Sequence, residues 1–295
     1  MNRWVAGARP RTLPAAIVPV IVGTAAAAEG DLGSGRGIIV WRLAAALVVA
    51  VAIQVGTNYA NDYSDGVRGT DSESRVGPLR LVGSGLATPS AVKHAALLSF
   101  GLAAVAGLAL AIAVTPWLLL VGAVSFAAGW LYTGGPRPYG YYGFGELFVF
   151  VFFGLVATMG SAYVQQEHLT WLALGVAVPV GCLATALLVI NNLRDIPTDT
   201  AAGKRTLAVR LGDRRTRLLY VALMVAPFVV TPVVAGLGGR PLGAAALFAV
   251  LLARVPVQRV LEGARGPALI PVLGDTGRVQ LVFGVLFALG LFFGS

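Results

Sequence analysis

The sequence predicts an all-α polytopic membrane protein with about nine transmembrane helices around a central cavity, and three observations carry that expectation. Apolar side chains make up 57% of the 295 residues against 12% charged, and the mean hydropathy is +0.81, well beyond what a water-soluble domain tolerates. Apolar stretches close to the ~20 residues that cross a bilayer core recur along the whole chain. Basic residues are sorted onto alternate connections between those stretches, as helices inserted with their positive loops inside require.

In order, the stretches lie at 13–28, 41–61, 91–114, 116–133, 144–164, 171–192, 218–236, 241–257 and 279–294. The first follows Arg9 and Arg11 and ends in four alanines, an imitation of a secretory signal peptide. Pro14 and Pro19 within it, and the charge count, favour a retained span instead. With nine spans and the N-terminus inside, nineteen of the 22 Lys and Arg residues fall on cytoplasmic segments, and only Arg36, Arg42 and Arg240 fall outside. The net charge of +9 is therefore a topology signal. No nucleic-acid partner is expected; the partner is the lipid bilayer. Cys182, the single cysteine, lies inside a span, which excludes an intrachain disulfide and a cysteine metal site. His94 and His168 lie apart and form no cluster.

Polar chemistry concentrates in two places. The second span closes on Asn58, Asn61, Asp62 and Asp65, followed by Asp71. Positions 58, 61, 62 and 65 share one helix face, so their side chains are expected to point at one ligand. The sixth span closes on Asn191, Asn192, Asp195 and Asp199. The motif regions, 58–71 and 191–206, follow helices four apart, which predicts two four-helix units plus a ninth helix, all within one domain spanning 1–295. Ionisable side chains on the last turns of membrane helices carry a desolvation cost and mark function; for Asp71, Glu73 and Asp213, ordinary loop charges serve equally well.

Asp and Asn oxygens are hard ligands that suit Mg²⁺, which binds through a few carboxylates and substrate phosphates. Four converging aspartates need such cations, and a diphosphate held there needs the neighbouring Arg75, Arg80, Arg137, Arg194, Lys204 and Arg205. A third cytoplasmic segment, 132–140, is rich in Gly and Pro and leads to Glu146. Around it stand Trp130, Tyr139, Tyr141, Tyr142, Phe144, Phe148, Phe150, Phe152 and Phe153. Most of these are expected in an interfacial aromatic belt, and a minority to wall a cavity that stabilises a cation.

At these residues the sequence resembles the UbiA superfamily of intramembrane prenyltransferases. The first motif appears as Asn58-x-x-Asn61-Asp62-x-x-Asp65 with Asp71 beyond, and the second as Asn192-x-x-Asp195-x-x-x-Asp199 followed by Gly203-Lys204-x-Thr206. Within the superfamily the chain looks most like the branch acting on 1,4-dihydroxy-2-naphthoate in menaquinone synthesis. The features behind that likeness are Arg9-Pro10-Arg11-Thr12-Leu13-Pro14, then Gly77-Pro78-Leu79-Arg80-Leu81-Val82-Gly83-Ser84-Gly85, and Tyr132-Thr133-Gly134-Gly135-Pro136 leading to Gly145-Glu146. The run Arg75-Val76-Gly77-Pro78-Leu79-Arg80 departs from the Arg-Thr…Arg-Pro element of relatives acting on 4-hydroxybenzoate or haem.

The resemblance implies a prokaryotic cell-membrane enzyme that uses Mg²⁺, a polyprenyl diphosphate and an aromatic acid, with decarboxylation giving demethylmenaquinone. It implies Asn58, Asp62, Asp65, Asn192, Asp195 and Asp199 around the metal, with the four aspartates catalytic. Arg75, Arg80, Arg137, Lys204 and Arg205 are implied on the diphosphate, and Asp71, Tyr132 and Glu146 near the acceptor or cation. Another aromatic acceptor is the nearest alternative. A CDP-alcohol phosphotransferase shares Asp62-x-x-Asp65-Gly66, but the expected Ala-Arg does not follow. A transporter or channel, the alternative from another class, would carry its charges at mid-membrane rather than at helix ends.

Overall fold

In the computed structural model the described residues are 2–28, 37–69 and 80–294, and they are helical, with no strand among them. The helices are α1 (Arg3–Ala8), α2 (Pro14–Ala27), α3 (Val40–Val67), α4 (Pro89–Ala113), α5 (Trp117–Leu131), α6 (Gly145–Gln166), α7 (Trp171–Ala201), α8 (Leu207–Leu237), α9 (Pro241–Leu261) and α10 (Leu269–Phe293). From α2 onward they match the nine predicted stretches one for one.

The count of nine membrane crossings is not reproduced. Seven helices among the described residues are long and apolar enough to span, and α1 with α2 makes an eighth if that pair, bent by 52°, is taken as one. The exception is α5, with 15 residues. It rises roughly 22 Å at 1.5 Å per residue, short of a hydrocarbon core of ~30 Å, because Pro116 starts it and the Gly134-Gly135-Pro136 turn follows it. The motif helices depart from expectation the other way. Helix α3 runs on to Val67 and α7 to Ala201, past the predicted ends at 61 and 192, so both acidic motifs ride on helical turns.

Local sequence sets the starts. Thr88 caps α4 by accepting the Ala91 amide at 3.3 Å, with Pro89 next; Thr170 and Thr206 cap α7 and α8 in the same way. Helix α8 breaks at Gly212, whose φ of 75° only glycine adopts readily, so its first turn belongs to the loop.

Helix α7 is the centre of the bundle. Of its apolar stretch 78% is buried, against 22% for α3, as expected of a helix apolar on all sides. Val18 and Val22 of α2, Leu183 and Ile190 of α7, and Phe283, Phe287 and Leu291 of α10 form the main core. A second core joins Tyr59 and Ala60 of α3 to Leu81, Val92, Ala96 and Phe100. Leu98, Val105 and Ile112 of α4, and Trp117 and Leu120 of α5, stand exposed, the face a lipid solvent would cover.

Small residues let the helices close. A Cβ on Gly23 of α2 would stand 2.1 Å from the Thr158 carbonyl oxygen of α6, so only glycine fits. Within α6 the segment Phe150–Val156 widens to π-helix, and Gly154 there lies against Gly181 of α7. We predict that Gly23→Val lowers stability in detergent by on the order of 3 kcal/mol, while Gly101→Val, at an open position on α4, changes it by less than about 0.5 kcal/mol. Equal thermal unfolding curves for the two variants would contradict this packing.

Candidate active site

The four polar residues of α3 share one buried face, with exposures of 7% or less, yet they do not point at one ligand. Asn58 donates through Nδ2 to the Ala8 carbonyl at 3.0 Å. Asn61 accepts the Thr133 hydroxyl at 2.7 Å. Asp62 accepts the backbone N–H of Leu81 at 2.7 Å and that of Val82 at 3.1 Å, one on each carboxylate oxygen. Asp65 alone of the four meets charged side chains from other loops. The reason is that each loop brought against α3 carries backbone groups that must be satisfied when water is removed, and the motif supplies the partners.

Asp65 is 2% exposed and lies where three segments meet. The Tyr141 hydroxyl donates to its Oδ1 at 2.5 Å, Lys204 Nζ to the same oxygen at 3.1 Å, and Arg80 Nη2 to Oδ2 at 3.2 Å. Lys204 comes from the loop after α7, 139 positions along the chain, and its ammonium also stands 4.6 Å from the centre of the Tyr141 ring. Backbone bonds hold this arrangement from behind: the Lys204 N–H donates to the Asp199 carbonyl at 2.8 Å, and the Arg205 N–H to the Tyr141 carbonyl at 2.8 Å. Arg68 closes the same corner on the Thr133 and Gly135 carbonyls. The first motif, the 132–144 loop and the second motif thus form one cluster.

On α7, Asp195 is gripped by its neighbour Arg194, Nε to Oδ1 at 2.7 Å and Nη2 to Oδ2 at 2.8 Å. Asn192 donates to Glu146 Oε1 at 2.9 Å. Asp195, Asp199 and Glu146 are all buried. Tyr132 follows α5, with its ring against Gly140 and Gly145. Burial, followed by the charges of Glu146, Tyr139, Asp199 and Asp65, pushes its phenol well above the ordinary range, so it stays a neutral hydroxyl.

Beside the cluster lies a cavity of about 430 Å³. One end is polar, with Arg9, Gln54, Asn58, Asn61, Tyr132 and Asn191, so asparagines of both motifs reach it. The remainder is mostly apolar, running past Val49, Phe152 and Leu119 between α3, α5 and α6. Tyr139 stacks on Phe148 with centroids 4.0 Å apart, and Phe148 on Phe152 at 5.9 Å. This is the aromatic minority expected to wall a cavity.

Arg137 and Arg205 are exposed, and Arg205 joins the cluster through its backbone N–H. Asp71 and Arg75 lie outside the described residues. Among the described residues no three Asp, Glu, His or Cys side chains group as a metal-ligand set. The available donors still suit a hard cation: Asp65, Asp195 and Asp199 offer buried carboxylate oxygens. Asp62 clamps the loop, with one oxygen on the Leu81 N–H and the other on the Val82 N–H. Sequence reasoning missed Tyr141 and Gln54. Tyr141 was hidden among other aromatics, and Gln54 is recognisable only as the residue one turn before Asn58.

Comparison with known proteins decides the family. Residues 16–268 match the UbiA prenyltransferase family. The chain belongs to that family. It is 53% identical to 1,4-dihydroxy-2-naphthoate octaprenyltransferase of Mycobacterium tuberculosis, covering 99% of this chain and 98% of that one. To the Escherichia coli protein of the same name it is 37% identical, covering 98% and 94%. Among solved structures, the apo UbiA homolog from Aeropyrum pernix superposes with a TM-score of 0.70 at 13% identity, covering 98% of this chain and 99% of that one. A UbiA homolog from Archaeoglobus fulgidus, bound to DMAPP and Mg²⁺, gives 0.61 at 13%, covering 99% of both. At such identities the likeness is one of fold. As a UbiA family chain with seven or more spanning helices, this is an integral membrane prenyltransferase.

If the Asp65–Lys204 pair joins the halves, Lys204→Met leaves Asp65 with Arg80 and Tyr141 alone and lowers stability by about 2 kcal/mol. The double variant Asp65→Asn/Lys204→Met should lose less than the sum of the two single changes in a thermal double-mutant cycle. Strict additivity would break the proposed link.

Proposed function

We propose that the chain transfers a polyprenyl group from polyprenyl diphosphate to 1,4-dihydroxy-2-naphthoate, with loss of the acceptor carboxylate as carbon dioxide and release of diphosphate, giving demethylmenaquinol, the reduced form of demethylmenaquinone. The observation that carries this reading is the meeting of Asp65 with Lys204 beside a cavity that is polar at one end and apolar along the rest. The naphthoate is supported by the names of relatives 53% and 37% identical over almost the full chain.

The cluster supplies what a diphosphate leaving group needs. Arg80 and Lys204 are buried cations that would donate charge-assisted hydrogen bonds to its oxygens. Asp65, Asp195 and Asp199 would hold Mg²⁺, with Asn192 beside them; the Mg²⁺ and DMAPP in the Archaeoglobus fulgidus homolog support that ion. When bound, it would neutralise charge developing on the diphosphate. Asp62 fixes the 80–82 backbone and so sets where Arg80 stands. The apolar length of the cavity takes the prenyl tail, which leaves sideways toward lipid past Leu119 and Val121.

As the allylic carbon–oxygen bond breaks, the faces of Tyr132, Tyr139 and Phe148 stand where a carbocation would form, each worth up to ~2 kcal/mol when desolvated. Enclosure keeps water from that cation. The ring carbon bearing the carboxylate attacks it; the bond to the carboxyl carbon then breaks, its electron pair restores the ring, and carbon dioxide departs. Glu146, held through Oε1 by Asn192, lies near Tyr132 and would orient or deprotonate a ring hydroxyl. With the positive loops inside, the cluster opens to the cytoplasm. The position of the charged groups at helix ends, not at mid-span, weighs against a transporter.

Purified chain given Mg²⁺, a polyprenyl diphosphate and several aromatic acids should yield, by mass spectrometry, a prenylated naphthoquinol lacking the carboxyl group. Asp195→Ala or chelation of Mg²⁺ should cut the rate roughly a hundredfold or more. A product that keeps its carboxyl group, or unchanged turnover after either treatment, would contradict the mechanism.

A further inference from the structure

Arg9 is the one charged side chain among the described residues that line the cavity. Its place is built with care. The backbone at Arg9 has φ 55° and ψ 68°, the left-handed region that L-residues other than glycine seldom enter. That conformation ends α1 and turns the chain into Pro10–Thr12, with the Arg9 carbonyl accepting the N–H and hydroxyl of Thr12, both at 2.9 Å. On either side the turn is tied to α3: Asn58 Nδ2 donates to the Ala8 carbonyl at 3.0 Å, and Gln54 Nε2 to the Thr12 hydroxyl at 3.2 Å. The helix that carries the first motif thus grips the residues flanking Arg9. The guanidinium Nε and Nη2 are buried.

Arg80 and Lys204 sit on Asp65 and do not line the cavity. The positive charge near the site is therefore divided between two places, a diphosphate corner and a cavity wall. Near Arg9 the wall carries the neutral hydrogen-bonding groups Gln54, Asn58 and Asn191, with the Tyr132, Tyr139 and Phe148 rings elsewhere on the same surface. An anion suited to such a chamber is flat, largely apolar and singly charged, and a guanidinium fork matches one carboxylate through two parallel hydrogen bonds. We propose that Arg9 recognises the carboxylate of the aromatic acid acceptor and so sets the preference for an acid over the corresponding phenol. This rests on the reading of the acceptor as an aromatic acid.

The test compares two unreactive competitors of the full-length enzyme, 1-hydroxy-2-naphthoate and 1-naphthol, which differ by the carboxylate. In the wild type the acid should inhibit far more strongly. Arg9→Gln should weaken inhibition by the acid roughly tenfold or more and leave inhibition by the phenol within twofold, with KM for the prenyl diphosphate within twofold. Arg9→Lys should recover part of the loss. Arg9→Gly suits the left-handed backbone, so it removes the guanidinium without straining the turn and should reproduce the selective loss in a folded protein. Equal weakening of both competitors, an unchanged ratio between them, or a shift confined to the KM of the prenyl diphosphate would overturn the assignment. A wild-type enzyme that transfers prenyl to no aromatic acid would overturn the acceptor reading itself, whereas an active wild type with an unchanged ratio in Arg9→Gly overturns only the role of Arg9.

Discussion

A buried carboxylate shared by cations from distant parts of the chain organises this protein. Asp65 lies at the end of α3, and its partner Lys204 follows α7. Neither charge tolerates removal from water alone, so each half of the bundle supplies what the other requires. Tyr141 completes the junction, bonded to Asp65 through its hydroxyl and to the Arg205 N–H through its carbonyl. The middle loop is thereby locked between the two motifs, and its Tyr132 and Tyr139 line the cavity beside Asn58, Asn61 and Asn191 of the two motif helices.

The motif residues divide their labour more than shared spacing implies. Asn58 and Asp62 are spent on backbone, the turn before α2 and the 81–82 amides, and Asn61 on the Thr133 hydroxyl of the middle loop. Such bonds matter in a chain with little water around its helices, where an unsatisfied amide costs several kcal/mol. They position three loops over the helix ends. Shared spacing on one helix face therefore does not mean one shared partner.

Much of this was legible in advance. Apolar stretches located every long helix because lipid demands continuous hydrophobic runs, and the i, i+3, i+4, i+7 spacing placed the first motif on one buried face. What failed did so for local reasons. The count of nine crossings is not confirmed: α5 is as apolar as its neighbours, but its 15 residues, bounded by Pro116 and the 134–136 turn, fall short of a bilayer core. Helix ends at Val67 and Ala201 were missed because charged residues look like loop when their tertiary partners are unseen. Tyr141 was indistinguishable from the aromatics around it, and the part played by Arg9 depends on a left-handed turn that no spacing announces.

The account stands on the two acidic motifs closing over one diphosphate at a single end of the bundle. An experimental structure of the chain with Mg²⁺ and an unreactive prenyl thiodiphosphate tests this most directly. The diphosphate should lie between Asp65 and the Asp195–Asp199 turn, within reach of Arg80 and Lys204, with its chain in the apolar cavity beside Phe152. A diphosphate bound away from Asp65, or motifs opening to opposite faces of the membrane, would contradict it.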